Sequence, residues 1–103
     1  MISEEWALTS ISVDDAGDPD SRLVEITFSD STLEEQLAQA EAWIITKVPP
    51  LLAGAGTPPS VRLFCSWSPR EGQRAMTLPA TLIRAMADVG CYFWMDFYPR
   101  DED

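Results

Sequence analysis

The sequence predicts an α+β fold in which one mainly antiparallel sheet carries two helices, in the order β-β-α-β-β-α-β. Three observations lead there. Short segments with a period of two, at residues 6–13, 22–29 and 61–67, are separated by turn chemistry. Two other segments carry apolar residues at helical spacing. The chain has 103 residues, the size of a single domain that buries roughly two-thirds of its unfolded surface in one core. One sheet is the economical surface on which to bury both helical stripes.

Residues 6–13 and 22–29 read as a hairpin with an acidic tip, because residues 14–21 are Asp, Gly, Pro, Ser and Ala throughout. In the second strand Val24, Ile26 and Phe28 share one face, and Leu23, Glu25 and Thr27 the other. Ser31 or Thr32 can cap a helix, with Glu34 or Glu35 three residues on closing a capping box. Leu33, Leu37, Ala40, Ile44 and Val48 then draw one apolar stripe, with Trp43 at its edge and Ile45 outside it. Pro49-Pro50 is expected to end this helix, since proline removes a donor and disfavours helical geometry in the residue before it.

Residues 51–60 read as a connector rich in Gly and Pro. In the strand at 61–67, Val61, Leu63, Cys65 and Trp67 form an inward row. Residues 68–73 supply a turn into a short strand expected at 75–78. Pro79 suits the first position of a second helix, Leu82, Met86 and Val89 supply its stripe, and Gly90 suits the left-handed position beyond its end. Residues 91–98 form the last strand, with large side chains on both faces. Cys91, Phe93, Met95 and Phe97 share one face; Tyr92, Trp94, Asp96 and Tyr98 share the other. One face is core, while the other lies under a helix or stands open as an aromatic row suited to binding.

Charge is unevenly placed. Up to residue 46, eleven carboxylates face the single cation Arg22; beyond it, six acids balance six bases, so the whole net charge of −10 belongs to the first region. Such a one-signed field attracts basic partners and repels nucleic acid and anionic membrane. The longest apolar runs fall well short of the ~20 residues of a membrane span, and the acidic start Met1-Ile2-Ser3-Glu4-Glu5 has no signal-peptide pattern, which makes the cytoplasm the expected compartment. Cys65 and Cys91 lie in apolar strands and are expected to be reduced core thiols, a disulfide remaining open if they prove adjacent.

The last third, with Met76-Thr77-Leu78-Pro79, Leu82-Ile83, Met86-Ala87, Val89-Gly90 and an aromatic strand ending Asp96-Phe97-Tyr98, resembles the close of the bacterial family DUF 4279. The resemblance implies an α+β domain and, for some members, a place beside toxin genes as immunity factors. It implies no catalytic residues.

Nothing in the composition supports catalysis. The chain has no histidine, which removes the commonest general base and metal ligand together with Ser-His-Asp and Cys-His constellations. Gly54-Ala55-Gly56 lacks the lysine and setting of a phosphate loop, and two cysteines alone do not furnish a four-ligand zinc site. Glu34-Glu35 reads as dipole-complementing charge on a first helical turn. The acids Asp14, Asp15, Asp18 and Asp20 lack the spacing and terminal bidentate glutamate of an EF-hand, so no metal or cofactor is expected.

The functional reading is therefore a small acidic protein that binds and occludes a basic protein partner without touching nucleic acid or membrane directly, as a monomer or weak homodimer. Its expected contacts are Asp14, Asp15, Asp18, Asp20, Glu34, Glu35 and Glu41 for steering, and Tyr92, Trp94, Asp96 and Tyr98 for holding. An immunity protein of a bacterial toxin fits this, a nuclease being favoured because it carries a basic substrate channel. Two alternatives stand beside it. One is a phage-encoded inhibitor of host defence whose acidic half imitates a nucleic-acid backbone. The other is a small-ligand module with a pocket lined by Trp67 and Trp94.

Overall fold

In the computed structural model, which describes residues 5–14, 22–54, 59–70, 72 and 75–98, alternation and helical spacing resolve into six elements. They are β1 (Trp6–Asp14), β2 (Arg22–Phe28), α1 (Leu33–Ala53), β3 (Ser60–Ser68), α2 (Ala80–Asp88) and β4 (Cys91–Phe97). Together they form an α+β fold: a four-stranded sheet in the order β2-β1-β3-β4, with both helices packed on one face. β1 pairs antiparallel with β2 and β3, and β4 runs parallel to β3. The parallel pair needs a crossover rather than a tight turn, and α2 provides it.

Register decides what each face buries. Ile11 stands between Ile26 and Leu63, and Leu63 stands beside Phe93, so one apolar row crosses all four strands on the helix side. Val61, Leu63, Cys65 and Trp67 are all buried, as their spacing predicts, and meet Leu33, Leu37, Ala40, Ile44 and Val48 of α1 and Leu82 and Met86 of α2. The capping box forms as expected: the Thr32 hydroxyl accepts from the Glu35 backbone N–H at 3.1 Å, and the Glu35 carboxylate accepts from the Thr32 N–H at 3.0 Å. Gly90 takes φ 65°, the left-handed geometry after α2 that favours a residue without Cβ. Pro79 caps α2 rather than opening it, its carbonyl accepting from the Ile83 N–H at 3.0 Å.

Two further expectations fail. α1 does not stop at Pro49-Pro50 but runs to Ala53 with both prolines inside it, and Gly54 closes it by donating to the Pro50 carbonyl at 3.1 Å. The prolines fall in the final turns, and the carbonyls they leave without a backbone donor belong to Ile45 and Thr46, which are exposed to water. Continuing the helix also packs Leu51 and Leu52 against the core, a gain set against the cost of the lost bonds. The short strand at 75–78 does not form either. β3 already has β1 on one edge and β4 on the other, so no edge remains to receive a hairpin partner. Met76 and Leu78 are instead half-buried against the core from a non-strand segment.

Cys65 and Cys91 are free thiols. Cys91 lies opposite Val61 and Cys65 opposite Met95, four residues further along the same ladder, a separation of about 13 Å that no disulfide spans. Burial pushes both thiols up, Cys91 to about 11, with the Leu63 backbone partly opposing the shift at Cys91 and the Thr9 hydroxyl at Cys65. Among the described residues no helix is long and apolar enough to cross a membrane.

Candidate functional site

The face of the sheet opposite the helices has no covering layer among the described residues. Even-numbered positions of β1, β3 and β4 point to it, together with Glu25 and Thr27 of β2. The register places Thr27, Ser10, Phe64 and Trp94 in one cross-strand row, and Glu25, Ser12, Arg62 and Tyr92 in the next. Tyr92 is 63% exposed and Trp94 55%, large values for aromatic residues in the interior of a strand. Leu8 and Phe64 are half-buried on this face and Trp6 is exposed at its end.

Polar groups organise this face. The Arg62 guanidinium lies 5.2 Å from the Trp94 ring centroid and 3.7 Å from the Asp14 carboxylate. The ring's negative face and the carboxylate thus hold one cation from two sides. At the other end of β4 the Tyr98 hydroxyl donates to Asp96 at 2.8 Å. That bond, with the charge of Asp96, raises the Tyr98 phenol above its ordinary value. The arrangement offers flat aromatic surface rimmed by Asp14, Glu25 and Asp96, suited to covering by another macromolecule.

The structure divides the expected contact residues between two layers. Tyr92, Trp94, Asp96 and Asp14 share the open face, and Tyr98 joins them through Asp96. Glu34, Glu35 and Glu41 lie on α1, in the helical layer behind the sheet. Glu35 is consumed by the capping box, and Glu41 accepts a hydrogen bond from the Thr81 hydroxyl at 3.0 Å, tying α1 to the start of α2. These two acids are structural whatever else they do. Asp15, Asp18 and Asp20 lie outside the described residues. Phe64, Leu8, Arg62 and Glu25 complete the face but were not among the expected contacts. The signal was available in β3, where Arg62, Phe64 and Ser66 are the row opposite the buried one.

Trp67 and Trp94 do not line one pocket. They project from opposite faces, Trp67 buried at 3% exposure and Trp94 open. Near Trp67 a cleft of about 450 Å³ opens at the N-terminus of α1, bounded by Glu5, Leu33, Leu37, Trp67, Met76 and Pro79. Its polar end is already occupied. The Glu5 carboxylate accepts from the Leu33 N–H at 3.1 Å and from the Trp67 indole N–H at 2.8 Å, so an internal anion answers the positive helix end. No family model matches the chain, and neither a curated protein nor a solved structure matches it.

Proposed function

We propose that the chain is a small acidic binding protein that neutralises a protein partner by occlusion, as an immunity protein does for a bacterial toxin, with a nuclease-type toxin as the favoured target. The observation that carries the reading is the uncovered aromatic pair Tyr92 and Trp94, with half-buried Phe64 beside Trp94, rimmed by Asp14, Glu25 and Asp96. Aromatic side chains held on a rigid strand lose little entropy on being covered and exclude water well, which makes them anchors. The unbalanced acids up to residue 46 steer a basic surface toward the protein. The mechanism requires no chemistry from the chain itself: blocking a basic substrate channel abolishes the partner's activity.

The test is capture of the partner from the native host, followed by titration of the partner's catalytic activity with the purified protein. Inhibition should saturate at one equivalent, and Trp94→Ala and Tyr92→Ala should each speed dissociation by about tenfold or more, the usual size of an anchor truncation. Undiminished inhibition by the double variant would remove the open face from the account.

A further inference from the structure

The outer edge of β4 has the composition of an interface. β4 is seven residues long and pairs with β3 alone among the described strands. Its sequence, Cys-Tyr-Phe-Trp-Met-Asp-Phe, contains no Lys, no Pro and one charge. Natural edge strands are normally protected by such charges, by prolines or by bulges, because their unpaired backbone groups otherwise template another strand. We propose that this edge pairs antiparallel with β4 of a second copy of the chain, making one sheet from twice four strands with the two-fold axis at Trp94. The inference does not rest on the partner reading above.

The register follows from side-chain and backbone chemistry. The Tyr98 N–H donates to the Trp67 carbonyl at 2.8 Å, and Asp96 is aligned with Ser66 in the parallel ladder. Even positions of β4 therefore direct their backbone toward β3, leaving the odd positions Cys91, Phe93, Met95 and Phe97 to donate and accept outward. A two-fold at Trp94 satisfies this parity. It sets Phe93 against Met95 of the second copy and Cys91 against Phe97 as hydrogen-bonded pairs. On the open face it sets Trp94 against Trp94, and Tyr92 against Asp96, as the closer non-hydrogen-bonded pairs. The Tyr92 phenol then has a carboxylate to donate to, and Asp96 retains lone pairs beyond the one that serves Tyr98. Phe93 meets a thioether, a favourable sulfur–aromatic contact. Moving the axis to Asp96 would instead oppose two carboxylates, which is destabilising.

The helical layer supplies an independent observation. On α2 the Thr81–Glu41 bond marks the flank facing α1, and Leu82, Ala85 and Met86 mark the buried side. At 100° per residue the flank away from α1, above the free edge of β4, carries Ile83 and Ala87. Ile83 is 49% exposed, and Phe97 of β4, whose ring lies 5.6 Å from that of Trp67, is 48% exposed. Two such flanks would meet across the same axis. Charge also permits the association. α1 packs on β1, β2 and α2 rather than on β4, and Asp14, the one acid of β1, would lie at least five strand spacings, roughly 24 Å, from its counterpart in the second copy. That exceeds a physiological Debye length of about 8 Å.

Sedimentation equilibrium of the purified chain, from micromolar to submillimolar concentration, should show a reversible monomer–dimer equilibrium. Trp94→Lys opposes two cations at the axis and should weaken the dimer by about tenfold or more while the far-ultraviolet spectrum stays that of the parent. Should that variant misfold, Ile83→Glu makes the same measurement from the helical layer. In a Cys91→Ser background, Trp94→Cys should crosslink readily under mild oxidation and Tyr92→Cys at least about tenfold more slowly, since only position 94 faces itself. A monomer throughout the range, a dimer indifferent to both charged variants, or equal crosslinking at 92 and 94 would overturn the proposal. A chain that binds only foreign strands at this edge would sediment as a monomer and count against it too.

Discussion

The two faces of this sheet are built from the same strands, and both carry large aromatic side chains, yet they have opposite fates. On β4, Phe93 and Met95 are half-buried beneath the helical layer, while Tyr92 and Trp94, one residue away, are exposed. On β1 and β3 composition distinguishes the two faces, the open row carrying Ser10, Ser12, Arg62 and Ser66; on β4 it does not, since large aromatic side chains occur on both sides. What distinguishes them is supply. The two helices offer enough apolar stripe to cover one face of four strands and no more, and the odd-numbered row of β1 and β3, wholly Ala, Thr, Ile, Val, Leu, Cys and Trp, claims it. The open face therefore keeps an apolar surface that folding leaves uncovered.

The sharpest way to break the contrast is a matched pair of truncations. Leu37→Ala, at a fully covered position, should cost about 2–5 kcal/mol, whereas Trp94→Ala on the open face should change stability by no more than about 0.5–1 kcal/mol. Chemical denaturation of both variants measures this, and comparable losses would show that the open face is part of the core. Next in size is Gln36, a polar residue with no exposure inside the covered face. Its amide donates to the Ala7 carbonyl at 2.9 Å and the Ser31 carbonyl at 3.0 Å, and accepts from the Thr9 hydroxyl at 2.9 Å. Gln36→Ala strands those groups and should cost about 1–3 kcal/mol; a smaller loss would mean that water enters between α1 and β1.

The thiols give a pH arm to the same comparison. Cys91 is raised from 9.0 to about 11 by burial and Cys65 is raised for the same reason. Each must stay neutral in the fold, so its contribution is complete below pH 9, where the unfolded chain also keeps its proton, and is lost as pH climbs toward 11. Stability should fall over that window, and Cys91→Ser should flatten the fall; an unchanged profile would show that the thiol is freely hydrated. The smallest effect on the fold should come from Glu34→Lys. This acid lies in the first turn of α1, beside Glu35 of the capping box, so reversal should cost about 0.3–1 kcal/mol through the helix dipole while slowing association with a basic partner and lessening its salt dependence. Association indifferent to salt would leave apolar contact as the sole driving force.

Local chemistry made much of this legible in the sequence. The capping box at Thr32 and Glu35, the inward row of β3 and the left-handed Gly90 depend on neighbours within a few residues, and they stand where spacing put them. The misses are cases where distant packing outweighed local preference. Pro49 and Pro50 stayed helical because their cost falls on exposed carbonyls while Leu51 and Leu52 reach the core. The strand at 75–78 failed because β4, joined through α2, took the edge of β3. Gln36 reads as polar in any hydropathy pattern, and only β1 arriving above it reveals the Ala7 and Thr9 partners that join the local Ser31 carbonyl. The aromatic row of β4 was readable as two alternating sets, but which set would be covered depended on where both helices docked.

The strand order also shapes how the chain reaches this state. The middle of the sheet is the pair β1–β3, and Ile11 meets Leu63 across it. Joining them closes a loop of about fifty residues that holds β2 and all of α1, an entropic toll of about 3.5 kcal/mol beyond the constant term of loop closure. The outer strands, by contrast, attach to their neighbours through shorter stretches of chain. Folding speed should therefore be set at the centre, where long-range contacts must form before they reward the chain: truncating Ile11 or Leu63 is expected to slow folding, and truncating residues of β4 mainly to speed unfolding, as the two arms of a chevron would show.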